Sequence, residues 1–248
     1  MKRTLAIMAA LCAIATGCKN TAPKAEKAQP STQSTPSEAP LKTDPCDISV
    51  CGVKFTKALN QANAEFKKAD DSLRITAREN TDIFRDPGNG SVIESSPIIF
   101  KEVDNTKPFT FTARLRPDFT PEGTYSAGAL FVFESLTHWQ KFAFEQDESG
   151  LHRVVSVRTI GTSDDNNHQA LSGKDAYYRI SSDGKAIGFY YSEDGKQWRM
   201  ARLYKNDYPK TVLLGISAQS PKTTSHSCLF SEVQFVEKSV GNFRDGKL

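Results

Sequence analysis

The residue types best suited to chemistry gather in the run His138-Trp139-Gln140-Lys141-Phe142-Ala143-Phe144-Glu145. If this is a strand with Phe142 and Phe144 turned to a core, its period of two sends Trp139, Lys141 and Glu145 to the opposite face. An indole, an ammonium and a carboxylate on one face can do two kinds of chemistry. They can hold a ligand, the ring stacking on an apolar surface while the charged groups bond to hydroxyls. Alternatively, Glu145 can move a proton as general acid or base, with Lys141 adjusting its pKa. The following residues, Glu145-Gln146-Asp147-Glu148-Ser149, approach an E-x-D-x-E pattern, which sets three carboxylates on one side of a strand at ~7 Å intervals. Here Ser149 stands at the third position and Glu148 has the opposite parity, so that pattern is broken.

Other strand-like runs extend the same face. With Val155 and Val157 in the core, Ser156 and Arg158 point away. Asp183-Gly184 and Asp194-Gly195, each followed by Lys, mark two hairpin turns of a meander. A two-residue first turn pairs Arg179 with Gly188 and Tyr177 with Tyr190. The second pairs Tyr190 with Arg199 and sets Trp198 beside Tyr191 on the core side. The expected outer face therefore collects Trp139, Lys141, Glu145, Ser156, Arg158, Tyr177, Arg179, Tyr190 and Arg199. Rings beside bidentate donors and a carboxylate suit a sugar, while ordinary solvated surface is the competing reading.

The loop Thr162-Ser163-Asp164-Asp165-Asn166-Asn167-His168 offers oxygen ligands of the kind calcium takes, although a solvated loop is the favoured reading. The chain holds no GxSxG, Walker, GxGxxG or HExxH motif, and its four histidines are scattered without ligand spacing.

The elements that must position these residues are strands. Phe109 to Leu115 alternates apolar and polar residues, and further runs lie at 73–77, 98–103, 126–133, 140–146, 177–182, 185–192, 197–203, 212–218 and 228–236. Ten or more short strands without βα alternation predict an all-β, antiparallel jelly-roll sandwich. Phe55, Leu59, Ala62 and Phe66 have helical spacing, while Glu65 to Lys68 followed by Ala69-Asp70-Asp71-Ser72 would make a hairpin with the strand from Leu73, and the hairpin is favoured.

The front of the chain differs. Residues 1–17 comprise Lys2 and Arg3, an apolar run from Leu5 to Ala15, and small residues before Cys18. That is the pattern of an export signal too short to span a bilayer. Ala15-Thr16-Gly17-Cys18 resembles a bacterial lipobox, which implies a diacylated Cys18 and a lipid anchor. Residues 18–45 hold five of the twelve prolines and none of the 24 aromatic residues, the composition of a tether. A Cys-containing lead-in, 46–54, precedes the sandwich at 55–248. In an oxidising compartment Cys46 and Cys51 could form a local disulfide or remain free, and Cys228 reads as a core thiol.

The runs LNQ (59–61), TDIF (81–84), HWQKFAFE (138–145), SVRT with Ser163 and Asp164, YYSEDGKQW followed by MAR (190–202) and LLGISAQSP (213–221) resemble successive motifs of the regulation-of-enolase-like domain of unknown function. The resemblance implies a concanavalin A-like lectin and glucanase fold. It also implies a recurrent polar set of Asp82, Trp139, Lys141, Glu145, Ser156, Ser163, Asp164 and Arg202. Phe84 and Asp165 stand where the family usually carries Trp.

From Cys46 onward 26 basic residues balance 26 acidic ones, so the body has no long-range attraction to a phosphate backbone and nucleic acid is not the expected partner. The leading expectation is a glycan-binding module, without cofactor, on an exported lipoprotein facing the periplasm or cell surface and touching the membrane only through its lipid. A carbohydrate-active enzyme using Glu145 and a protein-binding scaffold are the alternatives.

Overall fold

The computed structural model describes residues 41–248. The export signal, Cys18 and the tether up to Pro40 lie outside the described residues. In chain order the strands are β1 (Asp44–Val50), β2 (Val53–Leu59), β3 (Ala64–Ala69), β4 (Ser72–Arg78), β5 (Ile83–Arg85) and β6 (Val92–Glu94). There follow β7 (Ile98–Asp104), β8 (Phe109–Pro117), β9 (Ala127–Ser135), β10 (His138–Gln146), β11 (His152–Ile160) and β12 (Thr162–Ala170). The last five are β13 (Ala176–Ser182), β14 (Ala186–Ser192), β15 (Arg199–Lys205), β16 (Thr211–Gln219) and β17 (Ser225–Val236).

They form two antiparallel sheets and a separate hairpin. The front sheet has the order β1-β2-β7-β16-β9-β10-β11-β12, the back sheet β15-β14-β13-β8-β17-β4-β3, and β5 pairs only with β6. Strands distant in sequence sit side by side, as a jelly roll requires. Between the sheets lies the main core, where Phe142 of β10 meets Tyr178 at 4.5 Å and Phe189 at 4.9 Å between ring centroids. Among the described residues no helix is long and apolar enough to cross a membrane.

The segment that fitted helix or hairpin is the hairpin β3–β4, entered from β2 through one 3-10 turn at Gln61–Asn63. Strand structure begins earlier than composition suggested. β1 starts at Asp44, inside the stretch read as tether and lead-in, and pairs with β2 at the front-sheet edge. Cys46, Cys51 and Cys228 are all free. The Cys46 and Cys51 thiols point apart, Cys46 toward the carbonyls of Phe55 and Lys57 and Cys51 toward that of Asp71, so the local disulfide does not form.

A second apolar layer covers the front sheet from outside. Trp139, Phe131, Phe133, Phe100, Val155 and Val157 pack there beneath Ile83 of the β5–β6 hairpin. Both faces of the central front strands are therefore buried, which is why β11 reads Val154-Val155-Ser156-Val157 without clean alternation. Arg85 pins the hairpin down. Its backbone N–H donates to Ser163 Oγ at 2.9 Å, its Nε donates to the Leu136 carbonyl at 2.9 Å, and its Nη2 pairs with Glu94.

Candidate functional site

Where the apolar layer ends, the same outer face opens into a cavity of about 600 Å³. Its floor comes from β10 and β11, which contribute Lys141, Glu145, Val155 and Val157. Asp82, Phe84 and Ile93 come from the hairpin region, Asp165 and Asn167 from β12, and Gln219 from the end of β16. Tyr125 stands exposed at the mouth, with Asn80, Asp86, Glu148 and Lys222 around the rim.

Lys141 is buried and fully engaged. Its Nζ donates to Gln219 Oε1 at 3.0 Å, to Asp82 Oδ1 at 3.2 Å and to the Ile83 carbonyl at 3.4 Å. Burial works against its charge, but Asp82, Glu145 and Asp165 outweigh that and hold its pKa above the usual lysine range. Gln219 passes the network on, its Nε2 donating to the Tyr125 carbonyl at 2.8 Å and to Glu145 Oε2 at 3.3 Å. Glu145 is 8% exposed. Burial, opposed by Lys141 and reinforced by Asp82 and Asp165, pushes its carboxyl up to about 8, so it holds a proton at neutral pH. Asp165 is also raised, by burial first.

Tyr125 has φ 64°, a left-handed backbone unusual for a bulky residue. Its N–H donates to the Gln146 carbonyl at 2.7 Å and its carbonyl accepts from Gln219, so bonds on both sides hold the strained residue at the mouth.

The structure divides the expected ligand face into separate regions. Lys141 and Glu145 line the cavity, and Asp82 joins them. Trp139 shares their parity but is 0% exposed, with Nε1 donating to the Leu136 carbonyl at 3.1 Å and its ring stacked on Phe133. It is floor, unable to stack on a ligand. Val155 and Val157, expected in the main core, line the cavity instead, so Ser156 and Arg158 point toward the back sheet. Ser156 is buried against His168 Nε2 at 2.8 Å and accepts from Arg202 Nη1 at 3.4 Å, while Arg158 pairs with Asp207 at 2.8 Å.

Tyr177, Arg179, Tyr190 and Arg199 belong to the back sheet, on the far side of the molecule's core. Ser182 pairs with Ile187, so four residues instead of two separate the first meander pair, and within them Asp183 Oδ1 accepts from the N–H groups of Lys185 and Ala186. Arg179 consequently faces Tyr190, and Tyr177 faces Ser192. A bulge at Phe189/Tyr190 then sets Tyr190 opposite Met200 and Tyr191 opposite Arg199. Trp198 lies outside rather than in the core, with the Arg179 guanidinium 3.7 Å above its ring. Arg199 is exposed beside Glu193, and Tyr177 donates to Glu232.

Residues 162–168, expected as a loop, form most of edge strand β12, whose parity parts the oxygen ligands. Asp165 and Asn167 face the cavity, whereas Asp164 lies near Arg202 and His168 meets Ser156 on the other side. Ser163 is buried beneath the hairpin. Among the described residues no three His, Cys, Asp or Glu side chains come together as a metal ion requires. The broken acidic motif resolves similarly. β10 stops at Gln146, Asp147 turns inward to accept from the N–H groups of Ser149 and Leu151, and the turn carries Glu148 to the cavity rim rather than the opposite face.

Residues 59–238 match the family described as protein of unknown function (DUF1349). The chain belongs to this family. No curated protein matches the DUF1349 chain in sequence. Among solved structures it is similar to a functionally unknown protein from Saccharomyces cerevisiae, at TM-score 0.66 and 22% identity, over 73% of this chain and 95% of that one. It is also similar to the GH43 BlXynB protein from Bacillus licheniformis, at TM-score 0.55 and 14% identity, over 74% of this chain and 36% of that one. A xylan beta-1,4-xylosidase from Bacillus halodurans matches at TM-score 0.53 and 13% identity, over 68% of this chain and 33% of the other. The chain thus spans about a third of the length of those two Bacillus proteins. These likenesses show the antiparallel jelly-roll sandwich fold.

The residues missed in the sequence carried faint signals. Gln219 ends an otherwise apolar strand on the outward parity of Leu213 and Ser217, a buried polar group in need of a reason. Tyr125 is an aromatic residue in a turn of Pro121, Glu122 and Gly123.

Proposed function

We propose that the DUF1349 domain is a glycan-binding module on an exported chain anchored through a lipid at Cys18, with the cavity beside Lys141 and Glu145 as its site. The observation that carries this reading is the lining: half-exposed Phe84 and exposed Tyr125 stand at the opening above spaced carboxylates and amides. Rings of that kind stack on the C–H faces of a sugar while Asn80, Asn167 and Asp165 meet its hydroxyls. Lys141, with its donors engaged, positions Asp82 and Gln219 instead of reaching the ligand. The neighbouring structures contribute the fold alone. Retention of the protein on a panel of immobilised oligosaccharides, compared with Phe84→Ala, tests the reading. Loss of one stacked ring costs ~1 kcal/mol, so retention should fall several-fold. Undiminished retention, or none with wild type, sinks it. The anchor is tested by the intact mass of the membrane-associated chain and by Cys18→Ser, which should leave the membrane fraction.

A second reading is favoured by one observation, the proton that burial keeps on Glu145 at neutral pH. A carboxylic acid facing a cavity is placed to protonate a leaving oxygen. Glu145→Gln separates the two: an enzyme loses turnover and keeps affinity, whereas a binder changes affinity alone and releases no product from any panel member.

A further inference from the structure

Charge around the cavity is unbalanced in a way the glycan-binding reading leaves unused. Lys141 is committed to Asp82, and Lys222 sits exposed on the rim. Glu145 and Asp165 make no ion pair among the described residues. Glu145 is more than nine-tenths buried, lines the cavity, and receives one bond at 3.3 Å, from Gln219 to Oε2; no described residue donates to its Oε1. Glu148 adds a further negative charge at the rim.

A buried carboxyl in such company has two ways to relieve its neighbours' repulsion: keep a proton or meet a cation. A metal ion is a poor match, because the donors surround a space of about 600 Å³ and no three of them converge. An ammonium group on a larger polar molecule fits better. It donates up to three hydrogen bonds across several ångströms, and the body carrying it can occupy the rest of the cavity beneath Tyr125 and Phe84.

We infer that the cavity selects saccharides bearing a protonated amine, such as de-N-acetylated hexosamines, over neutral and acidic ones. This rests on the glycan-binding reading and adds its ligand class. The amine lies between Glu145 and Asp165, and the ring stacks toward Tyr125. An ammonium beside Glu145 lowers the cost of ionising it, so the bound complex releases the proton that the free protein holds. An anionic saccharide meets the same carboxylates with the wrong sign and is rejected.

The experiment is calorimetric titration of the full chain at pH 6, where the amine is protonated, with hexasaccharides of glucosamine, N-acetylglucosamine, xylose and galacturonic acid, and separately with spermidine. Each titration is repeated in two buffers of different ionisation enthalpy, so that proton release is counted. Glucosamine hexamer should bind roughly ten-fold or more tighter than either neutral hexamer, the equivalent of ~1.4 kcal/mol, with proton release and loss of affinity in added salt. Galacturonate should not bind. Glu145→Gln should abolish the proton release and most of the preference. Asp165→Asn, on edge strand β12, should reduce the preference on its own even if the first variant folds poorly. Equal affinity for neutral and amino hexamers overturns amine selection and leaves the glycan-binding reading standing. Binding of none of the four overturns both, and spermidine binding as tightly as the glucosamine hexamer overturns the saccharide part of the inference.

Discussion

Each sheet of this sandwich has an outer face with a buried cation beside aromatic rings, and the two faces ended differently. On the back sheet, Arg179 is 7% exposed. It lies over Trp198, donates from Nε to Thr112 Oγ1 at 3.0 Å, and donates from Nη1 to the Gly246 carbonyl at 2.6 Å. Tyr190 below it donates to the Phe243 carbonyl at 2.9 Å. The C-terminal residues 240–246 thus supply the partners and the cover, and the face is closed by its own chain. On the front sheet the β5–β6 hairpin covers only part of the face. Beyond its edge Glu145 and Asp165 have no ion partner among the described residues, and a cavity remains. Composition of a face does not distinguish a site from a packed surface; what the rest of the chain lays over it does.

The comparison is tested hardest at Trp139, because this residue has the outward parity of a ligand platform and the burial of a core residue. Trp139→Ala removes an indole packed between Phe131 and Phe133 and should cost ~3–5 kcal/mol by chemical denaturation. Phe84→Ala, on the half-exposed wall above, should cost less than about 1 kcal/mol. If the two variants are equally stable, the covered floor and the open wall are not different environments.

The pH dependence of stability comes next. Glu145 has its folded pKa raised, so between about 4.5, the ordinary value, and about 8 the native state holds a proton that the unfolded chain releases. Stability therefore falls as pH rises through that window and levels off above it. Each unit corresponds to about 1.4 kcal/mol, so the loss is on the order of a few kcal/mol. Glu145→Gln should remove that slope and leave the variant more stable than wild type near pH 8, as read from urea midpoints across the range. Parallel curves for the two proteins would mean that Glu145 is ionised and the cavity is better solvated than its burial indicates.

The fold was legible because strand alternation and the Asp-Gly turns are local signals. The strand parity of β10 brought Lys141 and Glu145 together from sequence alone. The errors arose where parity is not local. Val154, Val155 and Val157 are apolar on both sides because two layers cover β11, so choosing Val155 and Val157 as the main core inverted Ser156 and Arg158. The four-residue connection after Ser182 moved the meander register by two, and the bulge at Phe189/Tyr190 moved Arg199 again. The division of the expected face between two sheets depends on strand order, which pairs β13 with β8 and β11 with β10. Nothing in the residues of one strand encodes that neighbour. Asp82 and Phe84 reach the site through the short hairpin β5–β6, whose three-residue strands leave too little alternation to read.

A more modest effect than those at Trp139 and Glu145 concerns the cover of the back face. Removing residues 240–248 deletes the bonds from Arg179 to Gly246, from Tyr190 to Phe243, and from the Val240 N–H to Ser181 Oγ at 3.0 Å. Each of these bonds contributes ~1 kcal/mol, and the buried Val240 is lost with them. The truncated chain should melt a few degrees lower than wild type. A single substitution checks the same contact without shortening the chain. Gly246 has φ 65°, and a Cβ there would come within 2.5 Å of the Tyr190 ring, so Gly246→Val must lift the tail. Both variants should leave affinity at the front cavity unchanged, because the main core separates the two faces. They should also create no second saccharide site, because the uncovered back face only regains water on Arg179 and Tyr190. A second binding event in either variant would show that the tail blocks a site, and the two faces would then differ in occupancy rather than in kind.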